Sequence, residues 1–143
     1  MTDNLSLSLH FSLHEFLQSQ TATRKQILEQ FDPSEEIVDS LKYLCVNLLE
    51  KIRELNNNQP IHISSGYRCP RLNDAVGGAP TSQHVKGEAA DIDFGSKDAN
   101  KAFFDKIRDS GLEFDQLINE YAASWVHVSL KQTGNRRQVL NIV

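Results

Sequence analysis

Two segments, read together, decide the fold: Ser64-Ser65-Gly66-Tyr67-Arg68-Cys69-Pro70 and Ser82-Gln83-His84-Val85-Lys86-Gly87-Glu88-Ala89-Ala90-Asp91-Ile92-Asp93. The second starts in a loop marked by Gly77-Gly78 and Pro80, and ends in an apolar run over 89–94 that reads as a strand. His84 is therefore loop-borne and Asp91 strand-borne, seven residues on. Gly87 permits a tight turn between them, and Ala89 permits close packing. An imidazole and a carboxylate delivered this way can converge on one cation if a third ligand joins them. His127, in the strand pattern Trp125-Val126-His127-Val128-Ser129, is the candidate. Two histidines and one carboxylate leave a coordination position open, as catalytic zinc sites do. Zinc matches these ligand types best, and nickel or cobalt also suit them.

Working outward, Ile61-His62-Ile63-Ser64 reads as a strand with His62 facing away from the two isoleucines. Asp32-Pro33-Ser34-Glu35 predicts a helix start, with Asp32 as the cap, Pro33 in the first turn and Glu35 three residues after the cap. Ile37, Leu41, Leu44, Leu48, Ile52 and Leu55 continue at helical spacing up to Asn56-Asn57-Asn58, an amphipathic helix of about six turns. Ser12-Leu13-His14-Glu15 has capping-box spacing and predicts a short helix through Leu17. The alternation over 5–11 predicts a short strand or extended arm. Downstream, Ser96 is placed to cap a helix reaching about Ser110, ended by Gly111. Strands are predicted over 114–119, 125–130 and 138–142. Helices first, then a mostly antiparallel sheet with one inserted helix, is an α+β pattern. We expect one domain over 1–143, with an N-terminal arm and short helices over 1–31 and the core over 32–143.

The whole-chain numbers narrow the function. At 143 residues, 39% hydrophobic and 24% charged, the composition is globular rather than disordered. Lys+Arg 15 against Asp+Glu 19 gives a net charge of −4, which argues against a nucleic-acid partner. No apolar run approaches the roughly 20 residues that cross a bilayer, so no stable membrane insertion is expected. Met1-Thr2-Asp3-Asn4 lacks the basic start of a signal peptide, so we expect synthesis in the cytoplasm without one. Two cysteines exclude a dense disulfide framework, and the sequence leaves open whether Cys45 and Cys69 are bridged. His10 and His14 are four apart, but Gln18 stands where a zincin helix would need its second histidine. We read both as surface or packing residues.

Ser64 to Pro70, then Leu72-Asn73, Val76-Gly77-Gly78 and Ser82 to Asp91, followed by Trp125-Val126-His127, closely resemble the zinc D-alanyl-D-alanine carboxypeptidase family of peptidoglycan peptidases. That family shares its fold with the hedgehog signalling domain. Phe11-Ser12-Leu13-His14-Glu15-Phe16 and Ser19-Gln20-Thr21-Ala22 are similar to the N-terminal segment of its small phage and prophage members. The resemblance implies one zinc ion held by His84, Asp91 and His127. It implies Arg68 as the stabiliser of the developing oxyanion and Ser82 as a substrate binder, with Tyr67 and Trp125 candidates to line the cleft.

A zinc peptidase also needs a base. Several relatives carry an acid three positions before the last histidine ligand, where this chain has Ser124. Glu120, at the end of Gln116-Leu117-Ile118-Asn119-Glu120, is the candidate, as in small phage-type members; Asp93, two residues beyond Asp91, is the alternative base or a supporting partner. The expected substrate is a peptidoglycan stem peptide cut beside a D-amino acid, at D-Ala-D-Ala or L-Ala-D-Glu. The expected state is a monomer that reaches the wall through phage-type lysis or in a virion. Ser124 keeps a rival reading in view, a non-catalytic zinc module such as a phage-tail component; a different hydrolase on the same metal, such as an amidase, is a second.

Overall fold

A computed structural model of the chain describes residues 5–142; residues 1–4, the start that lacks basic charge, and residue 143 lie outside the described residues. In chain order the elements are α1 (Leu13–Leu17), α2 (Gln20–Arg24), a 3-10 turn (Leu28–Phe31), α3 (Glu35–Leu44), a π turn (Cys45–Leu49), α4 (Glu50–Leu55) and β1 (His62–Ser65). There follow α5 (Pro70–Ala75), a 3-10 turn (Gln83–Lys86), β2 (Ala89–Asp93), α6 (Lys97–Asp109), β3 (Gln116–Glu120), β4 (Trp125–Ser129) and β5 (Gln138–Ile142). The α+β class is as expected. The described strands make one sheet in the order β1-β2-β4-β3-β5, antiparallel throughout except between β3 and β5.

Two helix expectations need correction. Ser34, not Asp32, caps α3: its Oγ accepts from the Ile37 N–H at 3.3 Å, and Pro33 stands outside the helix. The long helix is also not regular, because the π turn separates α3 from α4. The extra residue per turn there lets the neighbouring pairs Leu44–Cys45 and Leu48–Leu49 all face inward, each fully buried. The arm over 5–11 forms no strand beyond a single bridge between Ser6 and Ser12, yet Leu7 and Phe11 are buried.

Strand alternation sorts the sheet into two faces. Ala90, Ile92, Leu117, Val126 and Val128 join the hydrophobic core with Phe104 and Ile107 of α6 and Leu41 to Ile52 of the helical pair. The opposite face carries Asp91 of β2, His127 of β4, and Ile118 and Glu120 of β3, so the polar strand residues Asp91, His127 and Glu120, singled out from sequence, share it. Gly66 fixes how α1 meets the end of β1: a Cβ there would lie 2.7 Å from Phe16 Cα, so only glycine admits this approach.

The parallel β3–β5 pair needs a crossing. Residues 130–137 pass over the start of β3, and Asp115 anchors that passage. Its N–H donates to the Ser129 carbonyl at 2.7 Å, and its carbonyl accepts from Gln138 N–H at 2.9 Å. Its carboxylate, fully buried, accepts from the Arg136 backbone N–H at 3.0 Å, from Nε at 3.0 Å and from Nη2 at 2.8 Å. Arg136's hydrogen bonds, against the opposing effect of burial, hold the Asp115 carboxyl at about 2, below its ordinary 3.8. A carboxyl depressed on folding adds stability above its unfolded pKa and loses it as pH falls towards the folded one. Asp115→Asn should therefore lower Tm at pH 7, and the gap to wild type in thermal melts should shrink below about pH 4 and close near pH 2.

Candidate metal centre and its cleft

The register of the sheet assembles the site. Asp91 of β2 pairs with His127 of β4, which pairs with Ile118 of β3, so the three lie on one rung. His84 comes from the 3-10 turn before β2. Ser82 opens that turn, its Oγ accepting from His84 N–H at 3.2 Å. Gly87 closes it at φ +71, and a Cβ there would press to 3.0 Å from the Ile37 carbonyl. On the other flank, β1 bulges between Ile63 and Ser65, and Ser64 Oγ donates to the Asp91 carbonyl at 3.2 Å.

One donor atom from each of His84, Asp91 and His127 lies within 4.8 Å of the others. His84 Nδ1 sits 2.6 Å from the Gly66 carbonyl oxygen, which can only accept. Nδ1 therefore carries a proton whether the ring is neutral or charged, and Nε2 is the nitrogen left to meet a metal, the arrangement that outer hydrogen bonds impose on metal-binding histidines. His84 Nε2 lies 3.2 Å and His127 Nδ1 3.1 Å from the same Asp91 Oδ1. Burial of Asp91 favours its neutral form, but the His84 charge and the bonds from both imidazoles outweigh it and hold the carboxyl well below the usual range. An ionised carboxylate with two imidazole nitrogens, nearly excluded from water, fits a divalent transition ion.

Around this group lies a cleft of about 770 Å³, and Arg68, Ser82, Glu120 and Trp125 line it with the triad. Glu120 lies two residues from Ile118 on the same strand face, about 7 Å along β3. Its Oε2 accepts the Trp125 indole N–H at 2.8 Å across the β3–β4 hairpin. Arg68 is held by its backbone N–H on the His84 carbonyl at 3.1 Å. Its Nε is buried with no hydrogen-bond partner. Burial draws its pKa down, against the pull of the Asp91 and Glu120 charges. The residue lines the cleft beside the candidate ligands, which puts a cation within reach of an anion bound there.

Two of the predicted residues stand apart. Tyr67 lines an adjoining hollow of about 990 Å³, which Arg68 and Asp91 share. Asp93 does not line the cleft; its Oδ1 accepts from Gly95 N–H at 2.9 Å and from Asn100 Nδ2 at 3.3 Å. It therefore holds the turn from β2 into α6. Ser124, three residues before His127, spends its hydroxyl on the Tyr121 carbonyl at 2.7 Å. Cys45 and Cys69 are both free and buried, and burial pushes the Cys45 thiol up, away from reactivity.

Sequence reasoning missed Asn100 and Arg136. Tyr121, Ala122 and Ala123 form the β3–β4 turn with φ of 48°, 56° and 67°, a left-handed run without glycine. Such residues cost on the order of 1 kcal/mol each. Asn100, buried on α6, stabilises the run by donating Nδ2 to the Ala123 carbonyl at 2.9 Å and the Ser124 carbonyl at 3.2 Å. Arg136 lines the same cleft as the triad. Neither residue sits in a motif or at a telling spacing.

A family model described as Peptidase M15 matches residues 9–129, most of the chain. The chain belongs to that family. A zinc D-Ala-D-Ala carboxypeptidase of Streptomyces albus G is 39% identical over 49 residues, which are 34% of this chain and 19% of that protein. The chain thus matches about a fifth of that relative's length.

Wild type should take up Co²⁺ or Zn²⁺ at one ion per chain in a calorimetric titration. Asp91→Ala should weaken uptake more than about 100-fold, beyond the loss of an outer hydrogen-bond partner. Uptake unchanged in Asp91→Ala would place the ion elsewhere.

Proposed function

We propose that this M15 family member is a zinc-dependent peptidase that cuts peptidoglycan stem peptides beside a D-amino acid. The observation that supports it most is the meeting of His84, Asp91 and His127 in one cleft with Glu120 and Arg68. The resemblance at Ser82 to Asp91 and the partial match to a zinc D-Ala-D-Ala carboxypeptidase support the choice of metal and of substrate class.

Zinc bound there would supply Lewis acidity, easing deprotonation of a water and polarising the scissile carbonyl. The residues of the chain do the rest. His84 Nδ1 stays protonated on the Gly66 carbonyl, which fixes the ring and leaves Nε2 as ligand. Glu120 takes a proton from the attacking water on its free carboxylate oxygen, and then passes it to the departing amine. The Trp125 indole holds the other oxygen and so sets the direction of the carboxylate. Arg68 donates to the oxygen that gains charge as the carbonyl carbon becomes tetrahedral. Ser82, which caps the His84 turn, lies where its hydroxyl can also meet the substrate backbone. Phage-type lysis or carriage in a virion is the route to the wall within this proposal.

Digestion of purified peptidoglycan with the zinc-loaded chain, read by mass spectrometry beside a chelator-treated control, tests the reading. Loss of one terminal alanine identifies a carboxypeptidase, and release at L-Ala-D-Glu an endopeptidase. No zinc-dependent product from several wall chemistries sinks it. Glu120→Gln should lower kcat by about 10²–10⁴ while zinc still binds. Arg68→Met should cost about 10²–10³.

A further inference from the structure

The cleft has two ends. Gln116, Ile118 and Glu120 line it from one face of β3, and Ile118 marks the rung of Asp91 and His127. Glu120 lies two residues to one side of that rung, and Gln116 two residues to the other, about 7 Å away. Arg136 stands at the Gln116 end, because the crossing residues lead directly into Gln138, the partner of Gln116 in β5. Gln116 Nε2 donates to Gln138 Oε1 at 2.8 Å, which ties the two strands there.

Arg136 is mounted rather than loose. Its Nε and Nη2 edge is taken up by the fully buried Asp115 carboxylate, at 3.0 and 2.8 Å. Its side chain is nonetheless 52% exposed and lines the cleft, and the bonds to Asp115 use Nε and Nη2 rather than Nη1. Lys131 Nζ stands 3.8 Å from the same carboxylate, so two cations share one anion and this end keeps a positive charge. A planar guanidinium held along one edge presents its other donors in a fixed direction, which suits a carboxylate. The burial of Asp115 follows from the strand crossing, so the mount belongs to the topology.

Resting on the peptidase reading above, we propose that Arg136 is a specificity residue that binds a carboxylate of the substrate within two residues of the scissile bond. Gln116, whose β5 partner Gln138 follows Arg136 by two residues, lies about 7 Å along β3 from the metal rung, a span that an extended peptide covers in about two residues at roughly 3.3–3.6 Å each. Two stem-peptide carboxylates meet the requirement: the C-terminal one and the α-carboxylate of D-glutamate.

The test uses the pentapeptide L-Ala-D-γ-Glu-L-Lys-D-Ala-D-Ala, its C-terminal carboxamide, and its D-isoglutamine form. Zinc-loaded wild type should lose about 10- to 100-fold in kcat/KM on one of the two amides, mainly through KM. The amide that suffers identifies the carboxylate. Arg136→Gln should lose a similar factor on the free acid and show less than about a twofold difference between the acid and that amide. Asp115→Asn combined with Arg136→Gln gives the same comparison without leaving a buried unpaired charge, and its melting curve reports folding. Wild type that treats all three peptides alike overturns the proposal, as does a folded variant that keeps the full discrimination. If zinc-loaded wild type cleaves none of them, the peptidase reading fails. The carboxylate site is then judged by calorimetric titration of the same three peptides: weaker binding of one amide to wild type alone upholds it, and equal binding overturns it.

Discussion

A single oxygen, Asp91 Oδ1, lies within 3.2 Å of two imidazole nitrogens, and the sheet is arranged around keeping it there. Burying a carboxylate is costly unless its partners are fixed in place. His127 is fixed by strand register, and His84 by a cap, a left-handed glycine and the Gly66 carbonyl. Gly66 in turn can reach His84 only because it has no side chain to strike Phe16. The packing of α1, distant in sequence, thus bears on the protonation of a candidate ligand.

The hairpin that carries Glu120 and Trp125 answers to a second constraint. Three consecutive left-handed residues are unfavourable, and a buried amide helps to hold them by bonding the carbonyls of the last of them, Ala123, and of Ser124 that follows. Asn100 also accepts the Phe94 N–H at 2.6 Å and donates to Asp93. One side chain therefore joins the end of β2, the start of α6 and the turn beside Glu120. Asp93, read from alternation as a possible base, is spent in this junction: strand period gives the face of a residue but not what its neighbours will demand of it.

Legibility followed the range of the interactions. The strands over 125–130 and 138–142, the helix after Ser96 and the His84–Asp91 spacing depend on nearby residues, and their signals lie in short windows. The strand pattern marked His127 as a candidate third ligand, and the resemblance of the motifs supported it, but its pairing with Asp91 is set by the whole sheet and lies in no short window. The helix α5 was overlooked because it is a brief run opened by Pro70, with no apolar period to show it. The π turn escaped because Leu44, Leu48 and Ile52 satisfy a regular helix as well, and only burial of Cys45 and Leu49 demands the extra residue. Arg136 and Asp115 could not be paired in advance, since nothing local announces that β5 will lie parallel to β3.

The strand crossing separates two jobs that could have been merged. The candidate metal ligands lie on or beside the interior strands β2 and β4, where a shift of register would move every neighbour. Arg136 rides on the passage into the edge strand β5 and is bound to Asp115. A change at Arg136 calls for a matching change at the buried Asp115, but neither residue belongs to the inner rung. On the role proposed for Arg136, a change in this passage alters which substrate is held without touching the residues of the inner rung.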